Sequence, residues 1–256
     1  MTVLVTRKDG PSHARTNPWR NSRVPRTGII TTAKRLASDQ FAGREGEGTE
    51  APPRRSPHWR FRRATWFGAL AHEVDLVVDA THPFAEKISI SAAEATRATG
   101  IPLIALHRPA WTPENYDEWI YVNDMEEAAR MAERYHHIFL TIGRQKLAPF
   151  ANDSHNLYVI RSVDPPEGPL PKRHRLILSR GPFSVQDEKQ LMRDNQIDAL
   201  VTKNSGGSLT YAKIVAARQL GIPVIMVQRP PLPGGSRITA VHTASDAYIA
   251  AHGLMG

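Results

Sequence analysis

From Asp75 onward, hydrophobic and polar positions follow two alternating patterns. Short apolar runs, such as residues 75–80 and 102–107, are separated by longer segments in which apolar positions recur every three or four residues. The short runs have the length and branched composition of buried strands, and the longer segments have the period of amphipathic helices. The pattern therefore predicts an α/β protein built on parallel sheets.

Local signals place the ends of several elements. Pro83 suits the first turn of a helix, Gly100 suits a left-handed C-cap, and Asp124 suits an N-cap. After an initial TVLV run, the predicted strands are 75–80, 102–107, 137–143, 157–163, 175–180, 198–203 and 223–228, and the predicted helices are 83–99, 125–135, 184–195, 208–220 and 244–252.

A stretch rich in proline and aromatic residues, 108–119, interrupts the alternation. We expect the chain to cross there from one sheet to another, with a domain boundary near residue 112. Residues 71–112 would then belong to a first sheet domain, and residues 113–256 would form a second.

Residues 1–70 differ from the rest of the chain. They contain 14 Lys and Arg against 5 Asp and Glu, whereas residues 71–256 are almost neutral. Because they lack sustained periodicity, we expect an atypical, irregular and poorly ordered basic segment. The charge is confined to that segment, with no aromatic platform or helix-turn-helix spacing, so we predict no nucleic-acid binding.

Composition excludes several kinds of protein. The chain has no cysteine, which excludes disulfides, thiolate catalysis and cysteine-ligated metals. No H-E-x-x-H spacing or G-x-S-x-G turn is present, so we predict neither a metal site nor a serine hydrolase. No window reaches about 18 consecutive apolar residues, and no secretory signal precedes the first strand. We therefore predict a cytoplasmic protein without membrane contact, and leave the oligomeric state open.

Polar side chains follow the first predicted strand, in the order Asp79, Thr81 and His82, before the helix that begins at Pro83. Ligands of open parallel sheets bind beyond the carboxyl ends of the strands, so these four residues are candidate site residues. The alternative for His82 is that its ring only caps the helix.

Three later predicted strands end in cations beside glycines. Lys203 precedes a loop of Asn204, Ser205, Gly206 and Gly207, whose backbone N–H groups would face an anion at the start of the next helix. An ordinary glycine-containing turn is the alternative for this loop, since it lacks P-loop spacing.

The other two cations are arginines. Arg144 follows one strand, and Arg180 with Gly181 follows another, so both arginines are candidates for bidentate carboxylate binding. Together with Lys203 they predict a crevice for a polyanionic small molecule.

Six stretches resemble the precorrin-6A reductases of cobalamin biosynthesis. They are DATHPFA (79–85), RPAW (108–111), TIGR (141–144), SRGPF (179–183), VTKNSGG (201–207) and GIPVIMVQRP (221–230), in order over about residues 74–230. The resemblance implies two Rossmann-like domains with NADPH and the tetrapyrrole substrate in the cleft between them. It also implies that the residues above line this cleft and that Lys203 stabilises or protonates the macrocycle.

The front of the chain departs from that family. A family member is expected to open with a G-G-T-x-E-like turn and to show A-G-R and G-G-F-G-G later. Of these three motifs, only A-G-R is found here, at residues 42–44. One explanation is a shifted reading frame, since HWRFRR (58–63) can be encoded so that the next frame reads T-G-G-F-G. An alternative function is therefore a tetrapyrrole-binding protein that lost reductase activity with its glycine turns.

Overall fold

The computed structural model describes residues 3–6, 29–31 and 74–255. The strands are β1 (Val3–Thr6), β2 (Ile29–Thr31), β3 (Leu76–Asp79), β4 (Leu103–Leu106), β5 (Trp119–Val122), β6 (His137–Leu140), β7 (Leu157–Ser162), β8 (His174–Leu178), β9 (Ala199–Lys203), β10 (Val224–Val227) and β11 (Ile238–Val241). The α-helices are α1 (Glu86–Thr99), α2 (Met125–Ala132), α3 (Val185–Asp194), α4 (Ala212–Leu220) and α5 (Ala244–Met255), and a 3₁₀ helix spans Ala148–Asn152.

The chain divides into two compact units. The first unit comprises residues 1–108 and 231–256, and the second comprises residues 109–230. This corrects the expected domain that ran from 113 to 256. The C-terminal segment lies in the first unit because β11 pairs in parallel with β4 and α5 packs against β3 and β4.

The first unit contains a five-stranded sheet in the order β11-β4-β3-β1-β2. Strands β3, β4 and β11 are parallel, whereas β1 is antiparallel to both β3 and β2. Successive residues of β3 face opposite sides: Val77 packs with the alanines of α1, while Leu76 and Val78 pack with α5. Burial on both faces explains why this strand is a continuous apolar run.

The second unit contains a six-stranded parallel sheet in the order β5-β10-β9-β6-β7-β8. From β6 the chain adds β7 and β8 on one side, and it then returns to add β9 and β10 on the other. The direction of winding therefore reverses between β6 and β9. In open parallel sheets, such a switch point opens a crevice at the carboxyl edge.

The α/β prediction is confirmed, as are several element ends. Gly100 has the left-handed C-cap conformation, with φ of 74°. The Asp124 carboxylate accepts a hydrogen bond from the Glu127 N–H at 2.7 Å, which makes it the N-cap of α2. Strands β5 and β11 were not predicted, because each has only one buried residue and follows a proline-rich stretch. The expectation for residues 1–70 falls almost wholly outside the described residues.

In the part of the chain that the structure describes, no helix is long and apolar enough to cross a bilayer.

The second unit has charged side chains in its interior. Arg161 and Glu188 form a bidentate ion pair, with contacts of 3.0 and 2.7 Å, and both side chains are nearly inaccessible. The Arg161 guanidinium also lies over the Phe183 ring, at 3.8 Å from its centroid.

Lys213, in the first turn of α4, is the third member of this charged group. Its Nζ donates to the Thr210 carbonyl at 2.9 Å and lies 5.2 Å from the centroid of the Trp111 ring. Burial lowers the pKa of Lys213 to about 7, with a further lowering by Arg161 and an opposing effect of Glu188.

Replacing Lys213 with Met should increase the free energy of unfolding by roughly 1–4 kcal/mol, because a buried charge is exchanged for apolar packing. The folded-state pKa is lower than the unfolded one, so the cost of the charge is complete below pH about 7 and disappears as the pH rises toward the ordinary value. The increase in the free energy of unfolding, measured by urea denaturation, should therefore be larger at about pH 6 than at about pH 9.

The matched control is Lys172→Met, which removes a charge from an exposed position and should leave stability nearly unchanged at either pH. A Lys213→Met protein less stable than the parent at both pH values would show that the Thr210 and Trp111 contacts outweigh desolvation.

Candidate functional site

The switch point of the second sheet brings two of the predicted loops together. Residues 141–144 follow β6, and residues 204–207 follow its neighbour β9. The Thr141 N–H donates to the Val201 carbonyl at 3.0 Å, which extends the pairing of the two strands to the residue after β6. Both loops therefore follow neighbouring strands at the carboxyl edge.

Lys203 is the last residue of β9 and is partly buried. Loss of hydration is the main reason that its pKa falls to about 8, and repulsion from Lys146 contributes further. A lysine with this pKa is mostly protonated at neutral pH, yet it releases its proton more readily than an ordinary lysine. Lys203 thus suits both anion binding and proton donation.

Asn204 connects this loop to the segment at the start of the unit. Its Oδ1 accepts from the Trp111 N–H at 2.8 Å, and its Nδ2 donates to the Trp111 carbonyl at 3.0 Å. The Trp111 indole in turn donates to the Gly207 carbonyl at 2.8 Å. We call this set the Asn204 clamp. Asn204 was predicted as a binding residue, but both ends of its amide hold protein backbone.

The glycines and Ser205 complete the loop. Gly206 has φ of 66°, and a Cβ atom there would overlap the Pro109 carbonyl oxygen and the Arg229 guanidinium. Gly207 is exposed, with φ of 77°. The Ser205 N–H donates to the Lys203 carbonyl at 2.7 Å, so the chain turns sharply after the strand. Gly206 is therefore required by close packing, whereas Gly207 lies at the surface of the loop.

The two predicted arginines lie at different places along the edge. Arg144 follows β6 and pairs with Glu167 at 3.5 Å and with Asp164 at 4.0 Å. Arg180 and Gly181 are exposed and follow β8, the edge strand. Because β8 is three strands from β9, the two strand ends are about 14 Å apart. The structure thus places Arg144 at the switch point and Arg180 away from it.

The predicted residues of the first unit follow β3. The Asp79 carboxylate accepts from the Thr81 N–H at 3.0 Å and from the Ser89 hydroxyl at 2.6 Å, so it stabilises the turn into α1. The exposed His82 ring accepts from the Phe84 N–H through Nδ1 at 3.2 Å. Thr81 and Pro83 line a cavity of about 210 Å³ at the carboxyl edge of the first sheet.

Comparison with known proteins supplies the family. The model of the family described as Precorrin-6x reductase CbiJ/CobK matches residues 56–250. The chain belongs to this family. The resemblance of the six motifs is thereby confirmed.

Individual members of the precorrin-6x reductase family agree with this assignment. A precorrin-6A reductase of Rhodobacter capsulatus is 39% identical over 88% of this chain and 95% of its own length. One of Rhodococcus erythropolis is 51% identical over 64% of this chain and 66% of its own length. A solved structure of CobK precorrin-6A reductase has a TM-score of 0.68 and 38% identity, over 75% of this chain and 80% of that one.

Sequence patterns alone do not identify several residues at this family member's carboxyl edges. Repulsion from Lys146 lowers the pKa of Lys203, although no motif links the two positions. Trp111 was noted as part of RPAW, but its hydrogen bonds to residues 204 and 207 have no local signal. Among residues 74–255, no three His, Asp or Glu side chains are grouped as metal ligands would be.

Replacing Gly206 with Ala should destabilise the second unit more than replacing Gly143, which also has positive φ but has open space around its Cβ position. Both changes cost about 1–2 kcal/mol for the left-handed backbone. Gly206→Ala should cost about 1–3 kcal/mol more, because the added methyl overlaps backbone. Urea denaturation of the two variants measures the difference, and equal losses would contradict the close approach of Pro109.

Proposed function

We propose that this protein catalyses the NADPH-dependent reduction of precorrin-6A to precorrin-6B, in the cytoplasm. The observation that carries the proposal is a partly buried lysine, Lys203, at the switch point of a parallel sheet in a member of the precorrin-6x reductase family. Relatives of this family are named precorrin-6A reductase and cobalt-precorrin-6A reductase. The macrocyclic substrate bears many carboxylates, which suits a cationic edge.

The residues at this edge fit an anionic cofactor and an anionic substrate. Lys203 and Lys146 are close enough to repel each other, so a bound anion would stabilise both charges. Arg144 adds a guanidinium whose present partners, Asp164 and Glu167, have exposed side chains and can give way to a ligand. We infer that Lys203, Lys146 and Arg144 bind phosphate or carboxylate groups.

Reduction of a double bond requires a hydride on one atom and a proton on the other. NADPH, when bound, supplies the hydride. We propose that Lys203 holds the proton on Nζ and donates it to the macrocycle. Burial favours the neutral amine that remains, which is the physical reason why a desolvated lysine is a better acid than a hydrated one. The Asn204 clamp keeps the loop after Lys203 in one conformation.

Replacing Lys203 with Ala should reduce turnover of precorrin-6A by about 10²-fold, the usual contribution of a positioned acid. In the parent, kcat/KM should fall as the pH rises through about 8, because Lys203 of the free enzyme loses its proton there. Lys203→Arg should keep binding of the macrocycle but lose most turnover, since the guanidinium does not release its proton in this range.

The measurement is NADPH oxidation against pH, with thermal unfolding as the control for folding. Full turnover in Lys203→Ala would remove Lys203 from the mechanism. A parent that binds the macrocycle but never oxidises NADPH would instead support the alternative, a tetrapyrrole-binding protein without reductase activity.

Replacing Arg144 or Arg180 with Lys preserves charge and loses the planar guanidinium fork. We propose that Arg144 binds a carboxylate or phosphate in bidentate fashion, so Arg144→Lys should weaken NADPH or macrocycle binding by about tenfold, corresponding to loss of one good charge-assisted contact. Arg180→Lys tests whether an arginine three strands from Lys203 contributes to either ligand.

The dissociation constants of both ligands at two salt concentrations decide the matter. If only NADPH binding weakens, the arginine binds the cofactor, and if only macrocycle binding weakens, it binds the substrate. If both variants bind both ligands like the parent, the two arginines are surface residues.

A further inference from the structure

The cavity of the first unit lies where three parallel strands end. Thr81 follows β3, Leu106 and Arg108 belong to the end of β4 and the residues after it, and His242 follows β11. Neighbouring Ala244 is the first residue of α5 and also lines the cavity. The cavity thus occupies the position at which parallel sheets bind ligands.

Its lining is positively charged. Arg108 and His242 are the titratable residues among those that line it, and no carboxylate is included. Arg108 has an exposed side chain by area, yet the surrounding protein removes enough water to lower the pKa of its guanidinium from the ordinary value. A partly dehydrated guanidinium is stabilised when a planar anion replaces the lost water.

The wall that carries His242 is preorganised. His242 Nδ1 lies 2.9 Å from the His107 carbonyl oxygen, and since that oxygen only accepts, Nδ1 carries the proton. At the start of α5, the Thr243 N–H donates to the Asp246 carboxylate and the Asp246 N–H donates to the Thr243 hydroxyl, each at 3.1 Å. One nitrogen of the His242 ring is therefore fixed by a backbone carbonyl, and the helix that follows is capped by the next residue.

The volume limits what the cavity can hold. About 210 Å³ is less than the roughly 300–1,000 Å³ of pockets that enclose a whole small molecule. A phosphate or one carboxylate side arm fits, whereas a dinucleotide or a macrocycle does not.

We propose that Arg108 and His242 form an anion subsite that binds one phosphate or carboxylate of a larger ligand. Arg108 supplies the charge and the planar donors, and His242 is the second titratable residue of the lining. Which ligand supplies the anion rests on the proposed function, because NADPH offers phosphates and the macrocycle offers carboxylates. The existence of the subsite rests on the cavity alone.

The test uses the full chain and the variants Arg108→Gln, Arg108→Lys and His242→Gln. Arg97→Gln is the matched control, since it removes the same charge from the same unit at the far end of α1, where the side chain contacts the Gly234 carbonyl. Dissociation constants are measured for three probes: NADPH, a porphyrin octacarboxylate, and inorganic phosphate. Thermal unfolding identifies any variant that fails to fold.

Arg108→Gln and His242→Gln should each weaken one of the larger probes by about tenfold, while Arg97→Gln changes neither. Loss of NADPH binding alone identifies a cofactor phosphate, and loss of porphyrin binding alone identifies a substrate carboxylate. Should Arg108→Gln fail to fold, Arg108→Lys takes its place, and a loss of affinity at unchanged charge supports the bidentate contact. Unchanged affinity for all three probes in every folded variant overturns the subsite.

The binding measurement with inorganic phosphate separates this proposal from the reductase assignment. A parent without turnover of precorrin-6A refutes the proposed function only. If phosphate still binds the parent and binds Arg108→Gln more weakly by about tenfold or more, the subsite is supported even though the reductase assignment is refuted. If the parent binds none of the probes, the subsite is refuted as well.

Discussion

The candidate site in the second unit depends on a buried side-chain amide that takes the place of a backbone partner. Asn204 accepts from the Trp111 N–H and donates to its carbonyl, across 93 residues of sequence. The amide offers an acceptor and a donor at the same time, and here both are used by one residue. Loss of either bond would leave a buried backbone group without its partner. The RPAW and VTKNSGG motifs are thus two halves of one structure, which explains why both stand out in the sequence.

The elements with a continuous buried run or a capped first turn were predictable, because each carries its own signal. Strands β6, β9 and β10 are almost entirely buried runs, and α2 has a polar first turn after Asp124. Strand β11 has no such signal, since two of its four residues are exposed and its pairing with β4 joins positions far apart in the sequence. The return of the chain to the first unit is a consequence of that pairing, so no local pattern predicts it.

The positions of the candidate residues along the chain were predictable, but their arrangement in space was not. The predicted cations lie at the end of a strand or within four residues after it, because a strand end is a local property. Which strand ends are neighbours depends on strand order, and this order places Arg144 beside the loop after Lys203 and Arg180 three strands away. Residue type was also ambiguous: Asn204 and Gly206 look like ligands in the sequence, although both have structural partners.

Two lysines of the second unit show how the same desolvation has different consequences. Lys213 is enclosed, and its counter-charge Glu188 only partly opposes the loss of hydration. Its lowered pKa is therefore an energetic cost to folding. Lys203 lies at an open sheet edge beside another lysine, and an anion from solution can compensate its charge. Such an anion would raise the pKa of Lys203 again, because an opposite charge favours the ammonium form. By linkage, a polyanionic ligand would then bind more tightly to the protonated form, so binding would favour the protonated Lys203 that the proposed reduction requires.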